Sequence, residues 1–278
     1  METKKPKSQT IDNAWPSNFL GVNWLPDNSG ITFLHFPNGD TSETKFKQNS
    51  QAVIYFLNED PKDLKSIFGN KTHSKFNINE NEYPIPVIKS AEDKYIIGYI
   101  AGVDTYWDAY YAKIDDIKLG RLNWKLLHSK KEKVVHNNGF FKGDQFIFLS
   151  AKNTINRNIL SVTMDSLDFE KPKIVAKEKV SEIINNFEIT KDVIYYTTTK
   201  HGVEANLYKI DSSGEKMIET PKKAGEISLY TKSINSNDLW VTTRGWVNSN
   251  IRYKYHYETN TFIEDNLLPK MNFPNLKI

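Results

Sequence analysis

The chain has 278 residues, enough for one large or two medium domains with a sizeable buried core. Its 37 basic and 34 acidic residues are mixed along the chain and leave a net charge of only +3, without the basic block expected of a nucleic-acid surface. No apolar run approaches the roughly 18–20 residues that would span a bilayer, so we expect neither a nucleic-acid partner nor a membrane.

The chain contains no cysteine, which excludes disulfides and thiolate metal sites. Its first 16 residues, METKKPKSQTIDNAWP, are basic but lack the apolar core of a signal peptide. We therefore expect a cytoplasmic protein by default, and a periplasmic or secreted one only if the chain is a fragment of an exported parent. Residues 1–13 are polar and are predicted to form a disordered tail.

From residue 14 onward, short runs rich in β-branched and aromatic residues alternate with turns rich in Gly, Asn, Asp and Ser. No segment longer than about ten residues keeps the apolar spacing of an amphipathic helix with caps at both ends. The sequence therefore predicts an all-β protein built of hairpins. Fifteen runs predict strands, at residues 30–36, 51–58, 95–102, 109–115, 133–139, 144–151, 158–164, 173–178, 185–190, 192–199, 206–211, 228–234, 238–244, 252–258 and 261–265.

A pair of these runs recurs five times at intervals of roughly 45 residues, the size of a four-stranded propeller blade. The sequence predicts a β-propeller of four-stranded antiparallel blades over residues 14–278, with about five blades present. The pairs lie at residues 29–36 with 51–60, 93–102 with 108–116, 144–153 with 157–166, 192–202 with 205–214, and 237–246 with 251–260.

Motifs that carry chemistry are missing from the sequence. It has no Gly-x-Ser-x-Gly elbow, dinucleotide-binding glycine motif, Walker loop, His-Glu-x-x-His or EF-hand loop. The adjacent carboxylates Asp115 and Asp116 are typical of a solvated turn. The six histidines have no partners at spacings that indicate a site. We therefore predict no catalytic residue, no cofactor and no metal in this chain.

The order of the segments is more informative than their period. Residues 18–40, NFLGVNWLPDNSGITFLHFPNGD, open one blade with a Trp, an Asp-containing turn and a Gly, and residues 51–69, 84–114, 141–164 and 236–262 follow in sequence. From about residue 17, this succession resembles the β-propeller domain of the prolyl oligopeptidase family of serine peptidases. The resemblance implies the later blades of a seven-bladed propeller, without the first two blades.

In that family the Ser, Asp and His of the active site belong to an α/β-hydrolase domain, which we expect to lie outside the given sequence. The resemblance implies that the hydrolase domain is the partner of this chain and that short proline-containing oligopeptides are the substrate. The propeller would act as a non-catalytic gate, because a narrow tunnel admits short peptides and excludes folded proteins.

The resemblance also implies which residues face the substrate. Phe19 stands where family members place an aromatic residue near the substrate, five residues ahead of the Trp of the blade. Residues 102–111 match a loop in which relatives often carry a Cys after the Gly; Val103 occupies that position here, so thiol sensitivity does not carry over. Asp104, Tyr106 and Trp107 follow in this loop as candidate peptide contacts.

The corner residues Trp24, Asp27 and Gly30 are predicted to be structural. We expect Trp24 to wedge between adjacent sheets and Asp27 to accept hydrogen bonds from turn amides.

A second reading treats the chain as a free-standing, closed five-bladed propeller that binds a protein or a glycan with its loops. The two readings differ at the sheet edges, because a closed ring protects its edges, whereas blades cut from a larger ring expose them.

Overall fold

A computed structural model describes residues 10–14, 21–37, 39–119, 122–245 and 250–267. Within these residues, twenty β-strands form five four-stranded antiparallel sheets, each a meander in which neighbouring strands follow one another in sequence. These are the sheets of propeller blades, which confirms the predicted all-β propeller class. The five predicted strand pairs form the second and third strands of the five sheets.

Contacts divide the chain into two compact units, residues 1–131 and 132–278. The first unit holds two sheets. The first sheet consists of β1 (Asn23–Trp24), β2 (Gly30–His35), β3 (Gln51–Phe56) and β4 (Lys65–Phe68), and the second of β5 (Tyr83–Val87), β6 (Tyr95–Ala101), β7 (Asp108–Lys113) and β8 (Lys125–His128).

The second unit holds three sheets. The third sheet consists of β9 (Val134–Lys142), β10 (Gln145–Ser150), β11 (Asn158–Thr163) and β12 (Lys173–Ala176). The fourth consists of β13 (Ile183–Ile189), β14 (Ile194–Lys200), β15 (Glu204–Asp211) and β16 (Gly214–Ile218). The fifth consists of β17 (Glu226–Thr231), β18 (Leu239–Arg244), β19 (Ile251–His256) and β20 (Thr261–Glu264).

The helices in the described part of the chain are short 3-10 turns at Ser74–Phe76, Ile114–Ile117 and Lys130–Glu132. Asp115 and Asp116 lie in the second of these turns. No helix among the described residues has the length and apolar character needed to cross a membrane.

The core of the first unit lies between its two sheets, where Phe68 of β4 meets Trp124, which precedes β8. Their ring centroids are 4.6 Å apart, and the Trp124 indole Nε1 donates a hydrogen bond to the Ile67 carbonyl oxygen at 2.8 Å. A glycine, Gly98, lies where a Cβ atom would come within 3.0 Å of both rings. The two sheets therefore approach closely because β6 carries no side chain at this point.

The second unit has two cores, one on each side of the fourth sheet. Ile147, Ile159 and Phe187 belong to the core between the third and fourth sheets. Tyr195 and Val241 belong to the core between the fourth and fifth sheets. The fourth sheet is therefore packed on both faces.

Trp24 does not occupy the wedge position expected of it, because its side chain is 55% exposed. Successive side chains of a strand point to opposite faces, and the buried positions here are its neighbours Asn23 and Leu25. The Asn23 amide links the first two sheets: its Nδ2 donates to the Pro86 carbonyl oxygen at 2.9 Å, and its Oδ1 accepts from the Ile88 N–H at 3.2 Å.

Asp27 closes the turn between β1 and β2. Its carboxylate accepts hydrogen bonds from the backbone N–H of Ser29 at 3.0 Å and from the Ser29 hydroxyl at 2.6 Å, and it pairs with Lys118 at 2.5 Å. The hydrogen bond from Lys118, followed by those from Ser29, holds the pKa of the Asp27 carboxyl well below its usual range.

The described part of the predicted N-terminal tail contacts the first sheet. The carbonyl oxygen of Asn13, the last residue of the predicted tail, accepts a hydrogen bond from the Phe36 N–H at 3.3 Å, and the next residue, Ala14, forms an isolated antiparallel bridge with His35. Ile11 and Ala14 also pack against a buried cluster that includes Phe33.

His128 is the buried histidine of the second sheet, 2% exposed, with its ring centroid 6.5 Å from that of Tyr99. Burial disfavours the charged imidazolium and lowers the pKa of His128 to about 4. Its neutral form is therefore the one that the folded chain accommodates.

A Gly30→Ala substitution should destabilise the chain by about 1–3 kcal/mol, because the added Cβ would lie 2.5 Å from the Tyr55 carbonyl oxygen, which the β2–β3 ladder holds in place. Urea unfolding measures the change. Gly102→Ala is the matched control: its Cβ would meet nothing closer than 3.7 Å, so we expect a change within about 0.5 kcal/mol. Equal stability of the two variants would contradict the steric explanation.

The titration of His128 should make stability depend on pH. Between about pH 6.5 and pH 4, His128 is protonated in the unfolded chain but neutral in the folded chain. The free energy of unfolding should therefore fall by up to about 1.4 kcal/mol per pH unit as the pH decreases through this range. Above pH 6.5 His128 is neutral in both states and no longer makes the free energy of unfolding depend on pH.

The measurement is the difference between the pH profiles of the wild type and His128→Asn, which isolates this residue from all other groups. A pH-independent difference between pH 4 and 6.5 would show that the ring titrates normally in the folded chain.

Candidate functional site

The loop between β6 and β7 borders a pocket of about 240 Å³ in the first unit. Four of the five predicted substrate-facing residues line this pocket: Val103, Asp104, Tyr106 and Trp107. The fifth, Phe19, lies outside the described residues. Further lining residues come from two other segments and from the strand ends: Asn79, Asn81, Glu82, Ile100, Gly102, Asp108 and Lys130.

A polar turn before β5 forms one wall of the pocket. The Asn79 N–H donates to the Glu82 carboxylate at 2.8 Å, and the Glu82 N–H donates to the Asn79 carbonyl oxygen at 3.0 Å. The Asn79 side-chain oxygen accepts from the Asn81 N–H at 3.0 Å. These reciprocal bonds fix the Glu82 side chain next to the loop, where its Cγ lies 3.7 Å from the position of a Cβ on Gly102.

Trp107 closes the loop on itself. Its indole Nε1 donates to the Asp104 carbonyl oxygen at 3.0 Å, and its ring centroid lies 6.1 Å from that of the buried Tyr99. Val103, at the turn of the loop, has a fully exposed side chain. The loop thus presents an apolar tip beside an aromatic ring that is partly buried, the combination with which exposed loops contact apolar ligand groups.

Lys130 ties the loop to the segment after β8. Its ammonium pairs with the Asp104 carboxylate at 2.7 Å, and its backbone N–H donates to the Asp108 carboxylate at 2.7 Å. The hydrogen bond that the Lys130 ammonium donates to the Asp104 carboxylate is the main cause of the raised pKa of Lys130, and the negative charges of Asp108 and Glu82 add to it. Three carboxylates against one ammonium leave the pocket net negative.

Sequence reasoning found Asp104 but missed the other charged members of this pocket. Glu82, Asp108 and Lys130 lie on separate segments, and Lys130 is 26 residues from its partner Asp104. The pairing of β5 with β6 brings Glu82 to the loop, and the pairing of β7 with β8 brings Lys130 to it, so no local spacing could have indicated the cluster.

Trp24, Asp27 and Gly30, which the sequence predicted to be structural, do not line this pocket. Among the residues that the structure describes, no group of three or more His, Asp or Glu side chains could hold a metal ion.

No protein-family model matches the chain, and no curated protein matches it in sequence. Solved structures do match. A structure from a study of two prolyl endopeptidases aligns with a TM-score of 0.71 at 14% identity and covers 92% of this chain and 36% of its own.

Two further peptidase structures give the same result. Prolyl oligopeptidase B from Galerina marginata, bound to a 25-residue macrocyclization substrate, aligns with a TM-score of 0.71 at 13% identity over 88% of this chain and 33% of its own. Oligopeptidase B from Leishmania major aligns with a TM-score of 0.67 at 9% identity over 92% of this chain and 35% of its own. The chain therefore has the fold of a portion of the prolyl oligopeptidases that spans about a third of their length.

Proposed function

We propose that this chain is the propeller portion of a prolyl oligopeptidase-like serine peptidase and that it gates access of short proline-containing peptides to a separate α/β-hydrolase domain. The observation that carries this proposal is the fold likeness, which extends over about nine-tenths of this chain but only 33–36% of the prolyl peptidases. The order of the sequence segments supports the same family.

In this proposal the chain supplies binding and exclusion, and the partner domain supplies the chemistry. The nucleophilic Ser, the His and the Asp belong to the hydrolase domain, so acyl transfer takes place outside this chain. In this proposal residues 14–278 are the partial propeller and residues 1–13 are a short tail. Its blades limit which peptides reach the nucleophile by size rather than by charge.

The pocket beside β6 and β7 is the proposed point of contact with the peptide. Val103 offers an exposed apolar tip, and Trp107 offers a ring that its bond to the Asp104 carbonyl oxygen holds in one orientation. Fixing the ring before binding lowers the entropic cost of contact with an apolar peptide side chain. Tyr106 lines the same wall.

The purified chain should not hydrolyse a chromogenic Gly-Pro peptide, because its sequence has no Gly-x-Ser-x-Gly elbow to present a nucleophile. Release of the chromophore measures this directly. Turnover that a serine-reactive inhibitor abolishes would contradict the assignment of catalysis to another domain.

Trp107→Ala should weaken the binding of a proline-containing hexapeptide to the chain by about fivefold or more, because it removes the ring from the pocket. Fluorescence anisotropy of a labelled peptide measures the affinity. Trp24→Ala is the matched control, since it removes an exposed tryptophan that does not line the pocket. If both variants bind like the wild type, the pocket is not the peptide contact.

A further inference from the structure

The first sheet has buried side chains on both faces, and the second sheet packs against one of them. Ala52 and Ile54 of β3 belong to the core that the two sheets share. Val53 and Tyr55 alternate with them and therefore point to the other, outer face, where Phe33 of β2 lies opposite Val53. Phe33, Val53 and Tyr55, the outer cluster, are only 1%, 3% and 8% exposed. A part of the chain other than the second sheet must therefore cover the outer cluster.

Residues 10–14, which we call the strap, supply part of this cover. Ile11 and Ala14 pack against the outer cluster and are partly buried. Thr10 and Asp12, by contrast, are exposed. The strap thus turns apolar side chains toward the sheet and polar ones toward solvent, as a segment that covers an apolar face must do.

The strap is attached to the sheet near one end of β2. The Asp12 carbonyl oxygen accepts a hydrogen bond from the His35 imidazole Nε2 at 3.1 Å, and the Asn13 carbonyl oxygen accepts one from the Phe36 N–H at 3.3 Å. Ala14 pairs with His35 in an isolated bridge. Both bonds are longer than the 2.9–3.0 Å that is usual for N–H···O contacts. The attachment is therefore short and weak compared with the strand ladders of the sheet.

A cavity of about 660 Å³ lies beside the strap. Thr10 and Asp12 line it together with Val53 of the outer cluster and residues 60–62 of the β3–β4 loop. The strap is therefore not packed against that loop along this side. A segment with so few packing contacts can leave the sheet at a lower free-energy cost than unfolding of the sheet itself.

We propose that the strap is a releasable cap on the outer face of the first sheet. In place, it occupies the surface on which a sheet of another molecule would otherwise pack. Released, it exposes the outer cluster, a contiguous apolar surface that promotes association of the chain with itself. This inference does not depend on the peptidase proposal.

A disulfide between Ala14→Cys and His35→Cys tests the cap by locking the strap. Residues opposite one another in an antiparallel pair have Cβ atoms about 4.5–5.5 Å apart, near the distance that a disulfide spans, and the chain has no other cysteine. In urea below the unfolding transition, the reduced protein should give about threefold more anilinonaphthalene sulfonate (ANS) fluorescence than the oxidised protein. Equal near-UV circular dichroism of the two forms checks that the remaining fold is intact.

A pair of charge substitutions tests the same cap without a cross-link. Ile11→Asp places a carboxylate against the outer cluster and should release the strap, which raises ANS fluorescence about threefold and produces concentration-dependent association in sedimentation velocity. Thr10→Asp is the matched control. It adds the same charge at the neighbouring, exposed position and should leave the chain like the wild type.

Three results would overturn the proposal. The first is failure of the disulfide to form under oxidation, which would contradict the placement of Ala14 opposite His35. The second is equal ANS fluorescence of the oxidised and reduced proteins. The third is a folded Ile11→Asp variant that binds ANS and sediments like Thr10→Asp. If Ile11→Asp loses its near-UV circular dichroism, the disulfide comparison alone decides.

Discussion

Burial of the middle strands on both faces is the constraint on which the rest of this structure depends. In β3, β6 and β10 nearly every residue is buried, which requires apolar or small side chains at consecutive positions and not only at alternate ones. β18 of the fifth sheet differs, because its buried residues alternate with partly exposed ones. Only one face of the fifth sheet packs into the core of its unit, against the fourth sheet.

This constraint explains which strands the sequence predicted. All fifteen predicted runs correspond to strands, whereas β1, β4, β5, β8 and β16 were missed, and each of these five is an edge strand of its sheet. An edge strand packs less and bonds on one side only, so its composition is less restricted. β5 even contains Pro84 and Pro86, which a central strand would exclude because proline lacks the N–H that the ladder needs.

The candidate site was predictable in part. The loop segment at residues 102–111 was found through the resemblance to a family, and the structure places its four candidate residues, Val103, Asp104, Tyr106 and Trp107, in one pocket. Asp104 was found, but Glu82 and Lys130 were not, because they meet the loop only through the pairing of whole strands. The prediction that Trp24 packs between sheets failed for a different reason. In a strand of only two residues, the amino-acid types alone do not say which side chain points to the buried face.

The same constraint determines where this chain can bind ligands. Where the middle strands bury both faces in the core, the polar and charged side chains that can meet a partner remain at strand ends and at outer edges. The pocket beside Trp107 uses a loop at the ends of β6 and β7, and the cavity beside the strap includes Ser66 of an outer strand, β4. Substitutions in the loops and in the last strand of a four-stranded blade can therefore alter which ligand it binds, whereas packing restricts substitutions in its second strand. This separation accounts for a fold that is retained at 9–14% sequence identity, because packing requires only apolar character along the middle strands and not particular residues.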